Sequence, residues 1–133
     1  MATIRHELMG EIRVIFIDTE RLLDGPAIDL CYREIAAVLE KTEESHVLLH
    51  FGRVTFMSSA ALGMLIRVNK KCGEFKIMLK LCSIAADIRQ VFKITGIDKV
   101  LEIHADAAQA MEAFKKSGKL SFRKARPTSY EVT

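Results

Sequence analysis

The residues of this sequence whose type and position best suit a chemical event are two adjacent serines, Ser58 and Ser59. They follow an apolar, strand-like run at residues 47–51, a turn at residues 52–53 and an extended piece at residues 54–56. After the serines the apolar spacing becomes helical, which predicts a strand, a turn and a capped helix. Helix N-termini have unpaired backbone N–H groups and a positive dipole, so a phosphate at this point would be tolerated.

From the residues alone, two interpretations of the serine pair stay open. Serines that open a helix most often only cap it, which stabilises a helix by about 1 kcal/mol. Alternatively, one hydroxyl is the target of a regulatory modification, because the first turn of such a helix lies at the surface.

Other kinds of chemistry lack their usual signatures. Neither G-x-G-x-x-G nor G-x-x-x-x-G-K-[ST] occurs, and the serine pair lacks the flanking glycines of a nucleophile elbow. His46 and His50 lie four residues apart on a predicted strand, which separates them by about 13 Å, too far to share one zinc ion. Acidic residues are scattered singly. We therefore predict no metal, no cofactor and no enzymatic activity.

Length and composition indicate one compact domain. The chain has 133 residues, of which 50% are hydrophobic and 28% charged. No apolar run approaches the roughly 20 residues of a membrane span, and the N-terminus is charged where a signal peptide would be apolar. The three cysteines form no C-x-x-C pair and are interpreted as buried thiols. A cytoplasmic protein is expected.

The net charge is unevenly distributed along the chain. Residues 1–114 contain 14 Lys and Arg against 16 Asp and Glu, whereas residues 115–133 contain 6 against a single glutamate. A slightly acidic body lacks the basic patch that nucleic-acid binding requires. We predict a folded domain at residues 1–116 and a basic, flexible tail at residues 117–133, with binding of the tail to an acidic partner or a membrane surface as the alternative.

Periodicity predicts an α/β fold with a mostly parallel, mixed central sheet of four to five strands, an N-terminal antiparallel hairpin and about four helices. The predicted strands are residues 4–9, 12–16, 47–51, 75–81 and 100–103. The predicted helices run from residue 24 to about 43, from Ser58 or Ser59 to about 71 with Cys72–Gly73 as the end, from a Ser83 cap to Gly96, and from 106 to 116. Their predicted inward residues include Leu62, Leu65, Ile66 and Asn69 on the second helix, and Ile84, Ile88, Val91 and Phe92 on the third.

The stretch Val-Thr-Phe-Met-Ser-Ser-Ala-Ala-Leu-Gly at residues 54–63 resembles the signature of STAS domains, in particular of bacterial anti-sigma factor antagonists. That family has approximately an apolar residue, Thr or Ser, Phe, an apolar residue and then Asp-Ser-Ser-Gly-Leu-Gly between a strand and a helix. The order of predicted elements agrees with the family from about residue 4 to residue 114. The resemblance places Ser59 on the serine that a partner kinase phosphorylates. This sequence departs from the pattern at four aligned positions: Ser58 replaces an aspartate, Ala60 the second serine, Ala61 a glycine and His50 an often acidic residue.

The resemblance implies a signalling module in transcription regulation that binds a partner protein and is switched by phosphorylation of Ser59, with Ser58 as the less favoured target. The implied partners are an anti-sigma factor or a serine kinase of the histidine-kinase-like type, with a serine phosphatase as a further partner. The expected docking residues are Arg53, Ser58, Ser59, Ala60, Ala61 and Leu62. A scaffold of the same fold that is not phosphorylated, and a STAS domain associated with a small ligand or lipid, are the alternatives.

Overall fold

The computed structural model describes residues 3–116, which form a five-stranded sheet and four α-helices. The strands are β1 (Ile4–Met9), β2 (Ile12–Ile17), β3 (Arg21–Leu22), β4 (His46–His50), β5 (Phe56–Met57), β6 (Met78–Cys82) and β7 (Glu102–His104). The helices are α1 (Gly25–Lys41), α2 (Ser59–Glu74), α3 (Ala86–Thr95) and α4 (Ala107–Lys116), with a short 3-10 helix at Ile97–Lys99. The predicted tail at residues 117–133 lies outside the described residues.

The main sheet has the strand order β1-β2-β4-β6-β7, and β3 pairs separately with β5. β1 and β2 are antiparallel, whereas the pairs β2–β4, β4–β6 and β6–β7 are parallel. Gly10 opens the hairpin turn with a φ of 63°, which glycine adopts at little cost. The predicted mixed sheet and its antiparallel opening hairpin are therefore confirmed.

Helices cover both faces of the sheet, because alternate strand residues point to opposite sides. On one face, residues such as Ile15 and Leu49 pack with α1, α2 and α3 in the larger core. On the other face, Leu48 and Val14 pack against Phe114 of α4 in a smaller core. All three cysteines are buried, as expected. No helix within residues 3–116 combines the length and the apolar character needed to cross a membrane.

The predicted end of α2 at Cys72–Gly73 is wrong, because the helix continues to Glu74. The chain turns back beyond the glycine: the Ile77 N–H donates to the Cys72 carbonyl over 2.8 Å, and Lys76 takes the left-handed conformation with a φ of 60°. The turn brings Ile77 into the core, and its burial offsets the strain at a non-glycine residue.

Two predictions about helix faces and starts also need correction. Ser83 does not cap α3, since it has a φ of 61° and the helix begins only at Ala86, with Ala85 at the N-cap position and no side-chain capping bond. Of the predicted inward residues of α3, Ile84, Ile88 and Phe92 are buried, whereas Val91 is 41% exposed. On α2, Ile66 points outward with 38% exposure and Asn69 is half-buried. The inward residues of α2 are Ala61, Leu62, Met64, Leu65, Val68 and Cys72.

The last strand was predicted at residues 100–103 but begins two residues later and ends at His104. Val100 follows the 3-10 helix and is 56% exposed, and pairing with β6 begins at Glu102. The apolar run at residues 100–103 could not show where the strand starts, because the short 3-10 helix before it interrupts the alternating pattern.

Candidate functional site

The segment that leads into α2 is fixed on both sides by backbone hydrogen bonds. After β4, the Phe51 N–H donates to the Cys82 carbonyl over 3.1 Å, and the buried Val54 donates to Phe51 over 3.0 Å. β5 then pairs with β3, and the Ser58 N–H donates to the Leu22 carbonyl over 2.9 Å. The small β3–β5 sheet therefore determines where α2 begins.

The two serines at this helix start have different roles. Ser58 is the N-cap, with φ −78° and ψ 170°, and its Oγ accepts the Ala61 N–H over 3.3 Å. Its carbonyl accepts the N–H groups of Ala61 and Leu62 over 3.0 and 3.2 Å. Ser59 is the first helical residue, is exposed, and its hydroxyl has no hydrogen-bond partner within residues 3–116. Ser58 thus supports the helix, whereas the Ser59 hydroxyl is free.

The structure does not bring all six expected docking residues to the surface. Arg53, Ser59 and Ala60 are exposed, and Ser58 is half-buried. Ala61 and Leu62 are only 0% and 6% exposed, because they lie on the inward face of the first turn of α2. Those two side chains pack beneath the helix, and only the other four of the six have side chains that reach the solvent.

The turn before the serines is shaped by His50. The Gly52 N–H donates to His50 Nδ1 over 3.1 Å, and the imidazole lies 5.0 Å from the Phe16 ring. A Cβ atom on Gly52 would lie 2.7 Å from His50 Cε1, so only glycine fits without a shift. Burial, and then the charge of Arg5, lowers the pKa of His50. A neutral imidazole suits this geometry, because its Nδ1 must accept a hydrogen bond.

Asp18, which the sequence reasoning missed, links this turn to the hairpin. Its Oδ2 lies 3.0 Å from Arg5 Nε and its Oδ1 lies 3.9 Å from Arg53 Nε. Oδ1 is shielded from solvent and has no hydrogen-bond partner in the part of the chain that the structure describes. The three side chains, with Phe16 and His50, line a cavity of about 330 Å³. The sequence signal that could have identified Asp18 is its position as a polar residue directly after a buried strand.

A second pair that sequence reasoning missed lies on the other side of the serines. Phe56 on β5 is 42% exposed, and the guanidinium of Arg21 on β3 lies 5.2 Å from its ring centroid. Pairing of Arg21 with Phe56 in the small sheet produces this contact. The signal was weak, because a two-residue strand gives no periodicity.

These residues give the start of α2 a basic and partly apolar surrounding. The first turn of α2 contains no acidic residue. Within residues 3–116, the N–H groups of Ser59 and Ala60 have no acceptor. Over the same residues, no group of three or more His, Cys, Asp or Glu is arranged to hold a metal ion. The geometry therefore suits recognition of a protein surface and accommodation of an anionic group on Ser59.

Comparisons with known proteins agree with this architecture. The model of the family described as "STAS domain" matches residues 5–110. The chain is 33% identical over 82 residues to BtrV of Bordetella bronchiseptica, whose name describes an anti-sigma factor antagonist; the match covers 62% of this chain and 70% of BtrV.

Two solved structures have the same fold. An anti-sigma-factor antagonist (STAS) domain protein from Planctomyces limnophilus has a TM-score of 0.73 at 24% identity, covering 85% of this chain and 98% of that one. The Bacillus cell fate determinant SpoIIAA in its phosphorylated form has a TM-score of 0.59 at 18% identity, covering 86% and 99%. With the family match over most of the described residues, these findings show that the chain belongs to the STAS domain family.

Proposed function

We propose that this protein is an anti-sigma factor antagonist that binds a regulatory partner through the start of α2 and releases it when Ser59 is phosphorylated. The observation on which the proposal rests is the exposed Ser59 hydroxyl, which makes no hydrogen bond within the described residues. In this proposal the protein acts in the cytoplasm, in transcription regulation, by binding rather than by catalysing a reaction.

The docking surface consists of Arg53, Ser58, Ser59 and Ala60, to which we add Phe56. The aromatic ring and the guanidinium are side chains of the kind that dominate binding energy at protein interfaces. With the ring held against Arg21, the surface is basic around an apolar centre. We therefore expect the partner to present acidic side chains around an apolar pocket.

Phosphorylation would change the interface and leave the fold intact. A phosphate adds about −1.5 to −2 charges at the centre of the docking surface. The helix dipole favours that charge, as do the N–H groups of Ser59 and Ala60, which have no acceptor within residues 3–116, so α2 remains folded. An acidic partner would be repelled, and a loss of about 2.8 kcal/mol in binding corresponds to a hundredfold lower affinity.

The relatives support the identity of the partners. BtrV has a name that describes an anti-sigma factor antagonist, and the SpoIIAA structure is described as the phosphorylated form. By analogy, the partners are an anti-sigma factor or a serine kinase of the histidine-kinase-like type, together with a serine phosphatase. Ser58 is the less favoured target, because its hydroxyl is engaged as the N-cap.

The test uses a purified serine kinase of the histidine-kinase-like type, chosen from the genome that encodes this chain. With ATP, mass spectrometry should find one phosphate on the wild type and on Ser58→Ala, and none on Ser59→Ala. Calorimetry should then show that Ser59→Glu binds the anti-sigma factor with an affinity at least about a hundredfold below that of Ser59→Ala. Gln109→Glu, which makes the same charge change on the exposed part of α4, is the matched control and should bind normally.

Two results would contradict the proposal. Equal affinities of Ser59→Glu and Ser59→Ala would exclude the switch and favour a scaffold that is not phosphorylated. Equal weakening by Ser59→Glu and Gln109→Glu would show a general charge effect and would place the interface elsewhere.

A further inference from the structure

The turn that carries Arg53 is held by the side chain of His50. The Val54 N–H donates to the Phe51 carbonyl over 3.0 Å. This bond spans a β-turn whose central residues are Gly52 and Arg53. The Gly52 N–H donates to His50 Nδ1 over 3.1 Å. The first central residue of the turn is therefore fixed by a side chain at the end of β4.

The imidazole of His50 and the backbone of the turn fit closely together. A Cβ atom on Gly52 would lie 2.7 Å from His50 Cε1 and 3.1 Å from His50 Nδ1, so the ring lies directly against the glycine. The centroid of the same ring lies 5.0 Å from that of Phe16 on β2. These two contacts fix the orientation in which Nδ1 faces the Gly52 N–H.

Nδ1 can accept this hydrogen bond only while it carries no proton. In a neutral imidazole one ring nitrogen donates and the other accepts, whereas both nitrogens donate in the imidazolium ion. The bond from Gly52 therefore specifies the neutral form of His50 with its proton on Nε2. Protonation would make two N–H groups face each other, and the turn would have to move.

The charged groups around the ring also oppose its protonation. His50 shares its cavity of about 330 Å³ with Arg5 from β1, Asp18 after β2 and Arg53 from the turn. On β6, its register partner is the buried Cys82, whose thiol interacts electrostatically with Asp106 before α4. Burial, and then the charge of Arg5, holds the pKa of His50 below its ordinary value. Because two guanidiniums face one carboxylate in the cavity, a charged imidazole would be repelled.

We propose that His50 positions Arg53 for partner binding through the Gly52 N–H, and that protonation of its imidazole weakens docking. In the neutral state the turn holds Arg53 Nε at 3.9 Å from Asp18 Oδ1. In the charged state the bond from Gly52 is lost and the imidazolium repels the guanidinium. Gly52 is exposed, so water can replace the lost acceptor and the domain stays folded. The effect on docking rests on the function proposed above, whereas the change in the turn does not.

The first test follows the turn in the free protein, by NMR of isotope-labelled chain from pH 7.5 to pH 5. At pH 7.5 the His50 ring should carry its proton on Nε2. Its titration should have a midpoint below the ordinary histidine value of about 6.5, and the Gly52 amide signal should move with the same midpoint. A proton on Nδ1 at pH 7.5, or a Gly52 signal that does not follow the ring, would overturn the proposal.

The second test measures affinity for the anti-sigma factor by calorimetry at pH 7.5 and pH 5. Relative to His50→Asn, the wild type should lose about two- to tenfold in affinity at the lower pH, as expected for one hydrogen bond. Asparagine keeps an acceptor oxygen on Cγ and does not titrate, so His50→Asn should retain more affinity at pH 7.5 than His50→Leu. His6→Asn, the same exchange at an exposed position on β1, is the matched control and should keep the pH dependence of the wild type.

The outcomes separate this inference from the function proposed for Ser59. An equal pH dependence of binding in the wild type and in His50→Asn would overturn the positioning role, even where Ser59→Glu weakens binding as expected. Equal affinities of Ser59→Glu and Ser59→Ala would instead refute the proposed function. The Gly52 titration would then still decide whether His50 controls the turn.

Discussion

The different roles of Ser58 and Ser59 give the most direct prediction, because two adjacent substitutions should have different effects on stability. Ser58→Ala removes the Oγ that caps α2, and loss of such a cap costs about 0.5–2 kcal/mol. The hydrogen bond from the Ala61 N–H to the Ser58 Oγ is long, at 3.3 Å. In the variant the same N–H still has the Ser58 carbonyl as an acceptor at 3.0 Å. We therefore expect the lower half of that range, about 0.5–1 kcal/mol.

Ser59→Ala removes a hydroxyl that makes no hydrogen bond within residues 3–116. Alanine also has the higher helix propensity, so the free energy of unfolding should stay the same or rise by about 0.3 kcal/mol. Ser58→Asp keeps an N-cap oxygen and adds a negative charge at the positive end of the helix. It should stabilise the protein by about 0.3–1 kcal/mol.

Urea denaturation at pH 7 would measure these three variants against the wild type, with thermal denaturation as a second probe. Ser58→Ala should lower Tm by about 2–6 °C for a domain of this size. If Ser59→Ala were as destabilising as Ser58→Ala, Ser59 would be the structural cap and would not be free for modification.

Three further predictions concern the surroundings of this site and the α4 face of the sheet. Gly52→Ala should cost about 1–3 kcal/mol in urea denaturation, because its Cβ would lie 2.7 Å from the His50 ring; the cost should fall in a His50→Ala background, and an unchanged cost would exclude the clash. Burial, and then the charge of Lys80, lowers the pKa of His46, so its stabilising effect is complete above the unfolded pKa of about 6.5 and declines as the pH falls through that value towards the folded pKa. The stability difference between wild type and His46→Gln should therefore shrink between pH 7.5 and pH 5, and a constant difference would contradict this assignment. The Lys80 side chain is only 3% exposed, and its Nζ lies over the Phe114 ring, so its aliphatic stem is buried. Methionine would keep most of that buried stem, so Lys80→Met should be at least about 1 kcal/mol less destabilising than Lys80→Ala in urea denaturation. Equal losses of stability would show that the charge, and not the aliphatic stem, matters.

The sheet and the helices could be predicted because each follows from a local pattern. Two short strand-like runs at residues 4–9 and 12–16, separated by Gly10–Glu11, predicted the hairpin. Asp24 before Gly25–Pro26 predicted the start of α1, where the Asp24 Oδ1 accepts the Ala27 N–H. In these segments local propensity and tertiary packing favour the same structure.

The errors occur where a distant contact overrides a local signal. Gly73 was predicted to end α2, yet burial of Ile77 determines where the chain turns. Ser83 has the sequence of a cap, yet the helix begins only at Ala86. Likewise, Glu44 is only 7% exposed, and its carboxylate is met by Arg13 at 3.2 Å and by the Thr42 hydroxyl, which donates to it. No one-dimensional pattern contains these partners.

The candidate site was only partly predictable for a related reason. The serine pair could be recognised because its chemistry and its helical position lie within one short stretch. Asp18 and Arg21 were missed, since they reach the same surface from the segment between β2 and α1. Their contribution depends on the order of strands, which the sequence does not specify.

The bond from the Ser58 N–H to the Leu22 carbonyl has a consequence for genetics. Leu22 is fully buried, and the two-residue strand that contains it pairs with β5, which leads directly into α2. A screen for variants that no longer recognise their partner should therefore recover substitutions at residues 20–22 as well as around residue 59. Under the proposed function, a Leu22 variant would alter recognition although its buried side chain does not reach the partner.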